Sequence, residues 1–279
     1  MPTVVEKRKA FHALHASGCF VIPNPWDIGS ARWLEGAGFK ALASTSSGFA
    51  WSQGFPDNHV TREMVLAHLR ALVAATDVPI NADFEGGFAA DPAGVAESVT
   101  LAVDTGVAGL SIEDSTGDKD RPLYDLDAAA ARIRAARAAI DKAGGDTLLV
   151  GRAECLLVGR PDLDEVIARL KAYANAGADC LYAPGISKPE QISAVVKAVA
   201  PKPVNLLIGS PMGITVKDAA ALGVRRISVG GALARSAWGG FIRMAKQIAE
   251  EGRFDGFAEA ASGGELNKFF YKDRKARSG

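Results

Sequence analysis

The sequence predicts a single closed (β/α)8 barrel, and three observations support this prediction. Short apolar runs alternate with alanine-rich segments that carry apolar residues at spacings of three and four, and this alternation repeats about eight times. Continuous apolar runs are typical of strands that are buried on both faces of a parallel sheet. Glycine recurs where a helical pattern gives way to the next strand, as in EGAGFKAL, DTGVAGL, NAGADCL and ALGVRRI. Eight such units fit a closed barrel better than an open doubly wound sheet, and no G-x-G-x-x-G follows the first strand.

The strands are predicted in chain order from the apolar runs. They are CFVIPN (19–24), FKALAST (39–45), VPINAD (78–83), AGLSIED (108–114), TLLVGRAE (147–154), DCLYAP (179–184), KPVNLLI (202–208) and VRRISVGG (224–231). Helices are predicted between them, most clearly for TREMVLAHLRALVAA, DLDAAAARIRAARAAIDKAG and DLDEVIARLKAYANAG.

The domain organisation follows from the absence of a Pro-, Gly- or Ser-rich linker, which predicts one domain over residues 1–279. The chain continues beyond the eighth strand for longer than one closing helix requires. We expect residues 237–279, which include the adjacent aromatics of GELNKFFYKDRKARSG, to form a C-terminal helical segment. That segment is predicted to pack against a neighbouring subunit in a homo-oligomer, either a dimer or a tetramer.

Composition excludes several classes of partner. Lys+Arg and Asp+Glu both number 32, so no net field attracts nucleic acid or an anionic membrane. No run of some twenty apolar residues predicts a membrane span, and the N-terminal MPTVVEKRKAFHALH is unlike a signal peptide. Three scattered cysteines suit a reducing compartment better than a disulfide framework. We therefore expect a cytoplasmic protein whose partner is a small molecule.

Acidic side chains gather where the third and fourth strands are predicted to end. In such barrels the chemistry lies at the C-terminal ends of the strands. Asn81, Asp83 and Glu85 alternate along the third strand and face one side if the extended conformation persists, and Glu113 ends the fourth strand. Clustered carboxylates without histidine or cysteine favour Mg²⁺ or Mn²⁺. The alternative is that Asp83 and Glu113 only bond to neighbouring backbone or to Arg152.

Other strand ends carry groups that suit a small anion. The STSSG stretch, with Ser46, Ser47 and Gly48, is either a plain turn or a set of hydroxyl and N–H groups that binds a carboxylate. Arg152 is either a structural ion-pair partner or a bidentate clamp for a carboxylate. Asn205 lies inside an apolar strand, where ligand contact and core hydrogen bonding are both open.

Cys155 follows Glu154 directly and would be a tempting nucleophile. No histidine or lysine lies near it in the sequence to lower its pKa. We therefore expect Cys155 to be a packed core thiol.

Taken together, these residues resemble the isocitrate lyase/phosphoenolpyruvate mutase superfamily. The resemblance covers residues 20 to 235 in order. It rests on NPWDIGSARWLEGAGFKAL, STSSGFAWSQGFPD, PINADFEGG, GLSIEDSTG, GRAE and GADCLYAPG. It implies a (β/α)8 barrel whose last helix is exchanged between subunits, usually within tetramers.

The resemblance also implies roles for single residues. Ser46, with the amides of Ser47 and Gly48, is similar to the family's cradle for the substrate carboxylate. The remaining correspondences are Asp57 near the metal shell, Asp83 as the second aspartate of D-x-D, Glu113 as the strand-four metal-shell glutamate, Arg152 as the oxyanion contact, and Asn205 as a strand-seven polar contact.

The sequence departs from the better-known members of the superfamily. Asn81 stands where the first aspartate of D-x-D is expected, with Glu85 as a replacement charge. The short loop DSTGDKDRPLYD lacks the K-[KR]-C-G-H stretch of the lyases and the asparagine-bearing gate loop of the mutases, and Pro184 replaces a glutamate. Tyr124, Lys119 and Asp118 on this loop are candidates to protonate an enolate.

These departures favour a Mg²⁺- or Mn²⁺-dependent carbon–carbon lyase or decarboxylase, acting on a small 2-oxo or 2-hydroxy carboxylate such as oxaloacetate. Alternatives are a retro-aldol lyase of the methylisocitrate or dimethylmalate type, phosphonopyruvate chemistry, and a non-catalytic 2-oxo acid binder.

Overall fold

Eight parallel strands form a nearly closed barrel, as predicted. The computed structural model describes residues 2–278. The strands are β1 Phe20–Ile22, β2 Leu42–Ala43, β3 Ile80–Asp83, β4 Gly109–Glu113, β5 Leu148–Arg152, β6 Cys180–Tyr182, β7 Val204–Leu207 and β8 Arg226–Ser228. Their order is β1-β8-β7-β6-β5-β4-β3-β2. Just beyond β1, the amide of Ala43 donates to Pro23 O at 3.1 Å, and Asn24 Nδ2 donates to Ser44 O at 2.9 Å. These contacts join β1 to β2.

Helices follow the strands and surround the barrel. They are α1 Val4–Ala16, α2 Ile28–Gly36, α3 Ser46–Ser52, α4 Arg62–Ala75, α5 Pro92–Asp104, α6 Leu126–Lys142, α7 Leu163–Asn175, α8 Pro189–Val199, α9 Val216–Ala221, α10 Ala232–Lys246 and α11 Gly263–Ser278. The glycines of the four repeated stretches, Gly38, Gly106, Gly177 and Gly223, all have positive φ. Each ends a helix in a left-handed conformation that other residues adopt reluctantly, so the predicted helix–strand joint is confirmed.

The hydrophobic core has two layers. The larger layer lies between the outer faces of the strands and the surrounding helices. The smaller one fills the N-terminal half of the barrel, where Phe11 of α1 packs with Leu148, Val150 and Cys180. Because apolar side chains of this layer fill the N-terminal end, the polar cavity lies toward the C-terminal ends of the strands. Cys155 is fully buried in the outer layer, and burial raises the pKa of its thiol to about 11, as expected of a packed core cysteine.

The C-terminal segment is helical, and two of its helices differ in how they pack. In α10 only Ala234 is buried, and Trp238, Phe241 and Ile242 are exposed. In contrast, α11 returns to α2 of the same chain, where Trp33 and Phe269 pack with ring centroids 4.5 Å apart. The exchange of a helix between subunits stays a prediction. Over residues 2–278, no helix combines the length and apolar character needed to cross a membrane.

Candidate active site

A polar cavity occupies the C-terminal half of the barrel, where the site was predicted. We call it the central cavity, and its volume is about 190 Å³. Its polar lining includes Ser46, Ser47, Asp57, Asn81, Asp83, Arg152, Tyr182, Asn205, Arg226 and Ser228. This volume lies below the range of about 300–1,000 Å³ common for drug-sized ligands, so the cavity suits a small molecule.

Arg152 links the acids at the ends of three strands. Its Nη1 lies 3.2 Å from Asp83 Oδ1 and 3.2 Å from Glu113 Oε2. Its Nε donates to Glu154 in a short contact. Burial by itself would lower the pKa of Arg152, but the acids around it raise that pKa well above its ordinary value. Asp83 and Glu113 therefore share one nitrogen and are close neighbours, as the predicted site requires.

Ser46 holds two of the acids in place. Its amide donates to Asp83 Oδ2 at 2.9 Å, and its hydroxyl bonds to the carboxylate of Asp57. Ser44 fixes the backbone of Asp83 from the neighbouring strand, because Asp83 N donates to Ser44 Oγ at 2.8 Å. Burial, and then the nearby charge of Asp83, raises the pKa of Asp57. Asp57 and Asp83 therefore lie at one edge of the central cavity.

Glu85 reaches the acid cluster by a turn, not by strand alternation. Strand β3 ends at Asp83, and Glu85 has φ +49°, so the extended conformation expected through this residue does not persist. Arg132 holds the turn by donating to Ala89 O and Ala90 O, both at 2.6 Å. Glu85 Oε1 is buried without a hydrogen-bond partner among the described residues. Burial, then the charges of Asp83 and Asp57, raises the pKa of Glu85 to about 8.

A second cavity, the side cavity, is lined by two other acids of the cluster. Its volume is about 400 Å³, and Glu85, Glu113, Tyr124 and Arg132 line it. The guanidinium of Arg132 lies 4.1 Å from the centroid of the Tyr124 ring. Tyr124 is thus near Glu113 but is not part of the central cavity lining. The other two candidates for protonating an enolate, Asp118 and Lys119, are on an exposed loop.

The three predicted cradle residues are not equivalent in the structure. Ser46 and Ser47 line the central cavity, whereas Gly48 does not. The amide of Gly48 donates to Thr45 Oγ1 at 3.3 Å, so it serves as part of the cap of α3. Ser47 Oγ lies 3.2 Å from Thr45 Oγ1. The hydroxyl of Ser47 is therefore better placed than the Gly48 amide to meet a ligand.

The floor of the central cavity is a hydrogen-bonded network. Asn205 Oδ1 accepts from Arg226 Nε at 2.8 Å, and Asn205 Nδ2 donates to Ser228 Oγ at 2.9 Å. Asn81 Oδ1 accepts from Arg226 Nη1 at 3.3 Å. Because Arg226 occupies its amide oxygen, Asn81 lies with the floor and not with the acids, in contrast to the set predicted for the metal.

Among the residues that line this cavity, Arg226 and Tyr182 were not predicted from the sequence. Alternation along VRRISVGG places Arg226 on the same side of β8 as Ser228, which was a usable signal. Tyr182 ends β6, and the Arg152 guanidinium lies 5.1 Å from its ring centroid. Burial raises the pKa of Tyr182 to about 12, so its phenol stays protonated near neutral pH.

Asp114 is a structural acid, although it adjoins Glu113. It accepts hydrogen bonds from the Glu154 amide at 2.8 Å and from Arg169 Nη1 at 3.0 Å. These bonds tie the end of β4 to the end of β5 and to α7. They keep Glu113 and Glu154 beside Arg152 and leave Asp114 turned away from the cavities.

The donor set fits a hard divalent cation. Five carboxylates, Asp57, Asp83, Glu85, Glu113 and Glu154, lie around the guanidinium of Arg152. Burial and mutual repulsion raise the pKa values of several of them, and one oxygen of Glu85 is orphaned. Within residues 2–278, no three His, Cys, Asp or Glu side chains converge as a preformed ligand group. Mg²⁺ often takes only one or two carboxylates plus water and substrate oxygens, so a preformed group of three protein ligands is not required for it.

Comparison with known proteins places this site in a family. The sequence profile of the family described as phosphoenolpyruvate phosphomutase matches residues 11–249. The chain belongs to the isocitrate lyase/phosphoenolpyruvate mutase superfamily. The resemblance found in the sequence is thereby confirmed, as is the predicted class, a carbon–carbon lyase of this superfamily.

Three proteins that are similar to this chain have a reported activity or structure. A Burkholderia cenocepacia protein of known structure, described as a candidate lyase/mutase, is 48% identical with a TM-score of 0.93, over 96% of this chain and 97% of its own. An oxaloacetate decarboxylase of Paraburkholderia xenovorans is 30% identical over 80% of this chain and 74% of its own. A structure of oxaloacetate acetylhydrolase with its product oxalate is 26% identical with a TM-score of 0.83, over 99% of both chains.

Proposed function

We propose that this enzyme cleaves a carbon–carbon bond of a small 2-oxo or 2-hydroxy carboxylate, with Mg²⁺ or Mn²⁺ as cofactor and oxaloacetate as the first candidate substrate. The observation that carries the proposal is the ring of carboxylates around Arg152, next to a small polar cavity. Two of the relatives named above act on oxaloacetate, which supports this choice of substrate.

The cation would be held by Asp83 with Asp57 and Glu85, and Glu113 would add its negative charge from beside Arg152. When bound, such a cation withdraws electron density from the 2-oxo group of the substrate. This proposed ligand set differs from the set predicted from the sequence. Asn81 is left out because its amide oxygen accepts a hydrogen bond from Arg226.

Arg152 stabilises negative charge on the substrate. Its Nε and Nη1 are held by acids, and its Nη2 donates to no other residue between 2 and 278. Since Arg152 lines the central cavity, this amino group is placed to donate to a substrate oxygen. Fixed donors of this kind favour the enolate because they already point at the charge that develops.

Tyr182 supplies the proton to the carbon of the enolate. Asn205 donates to Ser228, and Ser228 in turn bonds to the phenolic oxygen of Tyr182. Tyr182 lines the central cavity, so its phenolic O–H is within reach of a bound molecule. In this proposal Tyr182 replaces the loop candidates Tyr124, Lys119 and Asp118.

The test is turnover of oxaloacetate with Mg²⁺, followed as pyruvate and as oxalate. We expect product formation above the rate that the metal alone gives. Tyr182→Phe is expected to lower turnover by about 10²-fold, because a positioned acid is lost, while the affinity for oxalate stays the same. Tyr271→Phe, at an exposed position on α11, is the matched control. Absence of both products above background would overturn the proposed function.

The oligomer predicted from the sequence is part of the proposal. A second copy of the chain covers the apolar face of α10, defined by Trp238, Phe241 and Ile242, which are 37%, 62% and 46% exposed. An apolar stripe on a helix that buries only Ala234 is a common mark of a protein interface.

Phe241→Asp is expected to convert the oligomer to a monomer, because it places a charge at the most exposed apolar position of this face. Size-exclusion chromatography with light scattering measures the change. Ser236→Asp, on the opposite face of α10, is the control and is expected to leave the mass unchanged. A wild-type chain that elutes as a monomer at micromolar concentration would contradict the proposal.

A further inference from the structure

Arg226 is a buried cation on the floor of the central cavity, and it has no anionic partner among residues 2–278. It is 3% exposed, and it belongs to β8, directly beside Asn205 of β7. Its hydrogen bonds go to Asn205, Asn81 and His15, none of which is a carboxylate. No ion pair joins it to any acid in the part of the chain that the structure describes. The acids at the rim are engaged with Arg152 instead.

His15 does not balance this charge either. Its Nδ1 lies 2.8 Å from Phe11 O, so this nitrogen carries the proton and Nε2 faces Arg226 as an acceptor at 3.5 Å. Burial, and then the charge of Arg226, lowers the pKa of His15 to about 3. Every side chain bonded to Arg226 is therefore neutral, and the floor keeps a full positive charge.

The guanidinium also keeps a free donor. Nε and Nη1 make all of the hydrogen bonds described, and Nη2 donates to no residue within 2–278. Arg226 lines the central cavity, so this group is available to a bound molecule. An unpaired charge in a protein interior is costly, and an anion bound in the cavity would offset that cost.

We propose that Arg226 binds the second carboxylate of the substrate, so that the enzyme selects short dicarboxylates over monocarboxylates. The inference rests on the proposed function. The end of the substrate that carries the 2-oxygen lies toward Arg152 and the acids, and the second carboxylate lies on the floor. Rim and floor line one small cavity, which restricts the substrate to a short chain.

A matched pair of stable ligands tests the inference without turnover. Malate and 2-hydroxybutyrate differ in one group, a carboxylate in place of a methyl, and neither has the 2-oxo group through which oxaloacetate would be decarboxylated. We expect calorimetry with Mg²⁺ to show that the wild type binds malate at least about 30-fold more tightly than 2-hydroxybutyrate, because only malate has a carboxylate that can pair with the buried Arg226. In Arg226→Met this ratio is expected to fall close to one, and in Arg226→Lys to be partly kept.

Oxalate is the control ligand, because a molecule of two carbons bound beside Arg152 has no further carboxylate for Arg226. Its affinity is expected to be the same in the wild type and in Arg226→Met. Should Arg226→Met not fold, Arg226→Gln, which keeps a donor for Asn205, takes its place.

A further readout uses oxaloacetate. Since Arg226 stabilises the second carboxylate, it opposes the loss of that group as CO₂. The ratio of pyruvate to oxalate is therefore expected to rise in Arg226→Met.

The inference and the proposed function fail in different ways. A wild-type affinity ratio near one, or a ratio unchanged in Arg226→Met, overturns the role of Arg226 as the second-carboxylate site. No turnover of oxaloacetate, together with a ratio that depends on Arg226, overturns the proposed reaction and keeps the binding site.

Discussion

Arg152→Lys is expected to lower kcat by about 10²–10³-fold while the protein remains folded. The guanidinium of Arg152 spans Asp83, Glu113 and Glu154 at once and still has Nη2 for the substrate. A lysine ammonium is a point charge on a flexible stem, without a planar fork. It keeps one positive charge among the acids, which preserves the fold, but it cannot hold three carboxylates and the substrate in fixed directions.

The measurement is steady-state turnover of oxaloacetate, with the urea midpoint of unfolding as a check on stability. Arg160→Lys is the matched control, because Arg160 lies after the same strand, is exposed, and forms an ion pair with Glu165 at 2.9 Å. Exposed pairs of this kind contribute little, so the control is expected to behave as the wild type. Turnover of Arg152→Lys within threefold of the wild type, roughly the spread of such measurements, would mean that Arg152 is only structural.

Removal of the divalent cation is expected to abolish turnover, and Asp83→Asn is expected to weaken cation binding by about 10–100-fold. Asp83 lies at the edge where the central cavity meets the acid cluster, and its charge contributes to the raised pKa values of Asp57 and Glu85. The asparagine keeps the size and the contact with the Ser46 amide but removes the charge. Loss of affinity is then due to the missing charge and not to a displaced chain.

Calorimetric titration of chelator-treated protein with Mg²⁺ and with Mn²⁺ gives the affinities directly, apart from any assay of activity. Asp127→Asn, at an exposed position in the first turn of α6, is the control and is expected to bind the cation like the wild type. Full turnover in the presence of excess chelator would refute the metal-dependent proposal. Unchanged affinity in Asp83→Asn would mean that Asp83 is not a ligand and that other acids bind the cation.

Most of the fold could be predicted because its signals are local. Each of the eight predicted apolar runs contains one of the observed strands, and the repeated glycines end helices at positive φ. Burial on both faces and helix periodicity are properties of neighbouring residues in the chain. The order of parallel strands in a (β/α)8 barrel then follows from the chain order, so the strand ends could be assigned to one rim.

The errors in the predicted site come from assumptions about direction. Alternation put Asn81, Asp83 and Glu85 on one side, but the turn after Asp83 redirects Glu85 into the side cavity. Asn81 does share the inner face with Asp83, yet it lies deeper, where Arg226 engages it. Both outcomes depend on contacts with residues that are distant in the sequence, Arg132 on α6 and Arg226 on β8.

By itself, then, the sequence determined the barrel, the family, and the collection of acids, serines and one arginine at the strand ends, because periodicity and motif spacing are encoded along the chain. Only the tertiary structure decided which acids share Arg152 and which amides already accept hydrogen bonds. It also decided that a second arginine lies on the cavity floor without an acidic partner among the described residues. The charge balance of a buried group depends on every side chain around it. Around Arg226 those side chains come from β3, from β7 and from α1, the helix at the opposite end of the barrel.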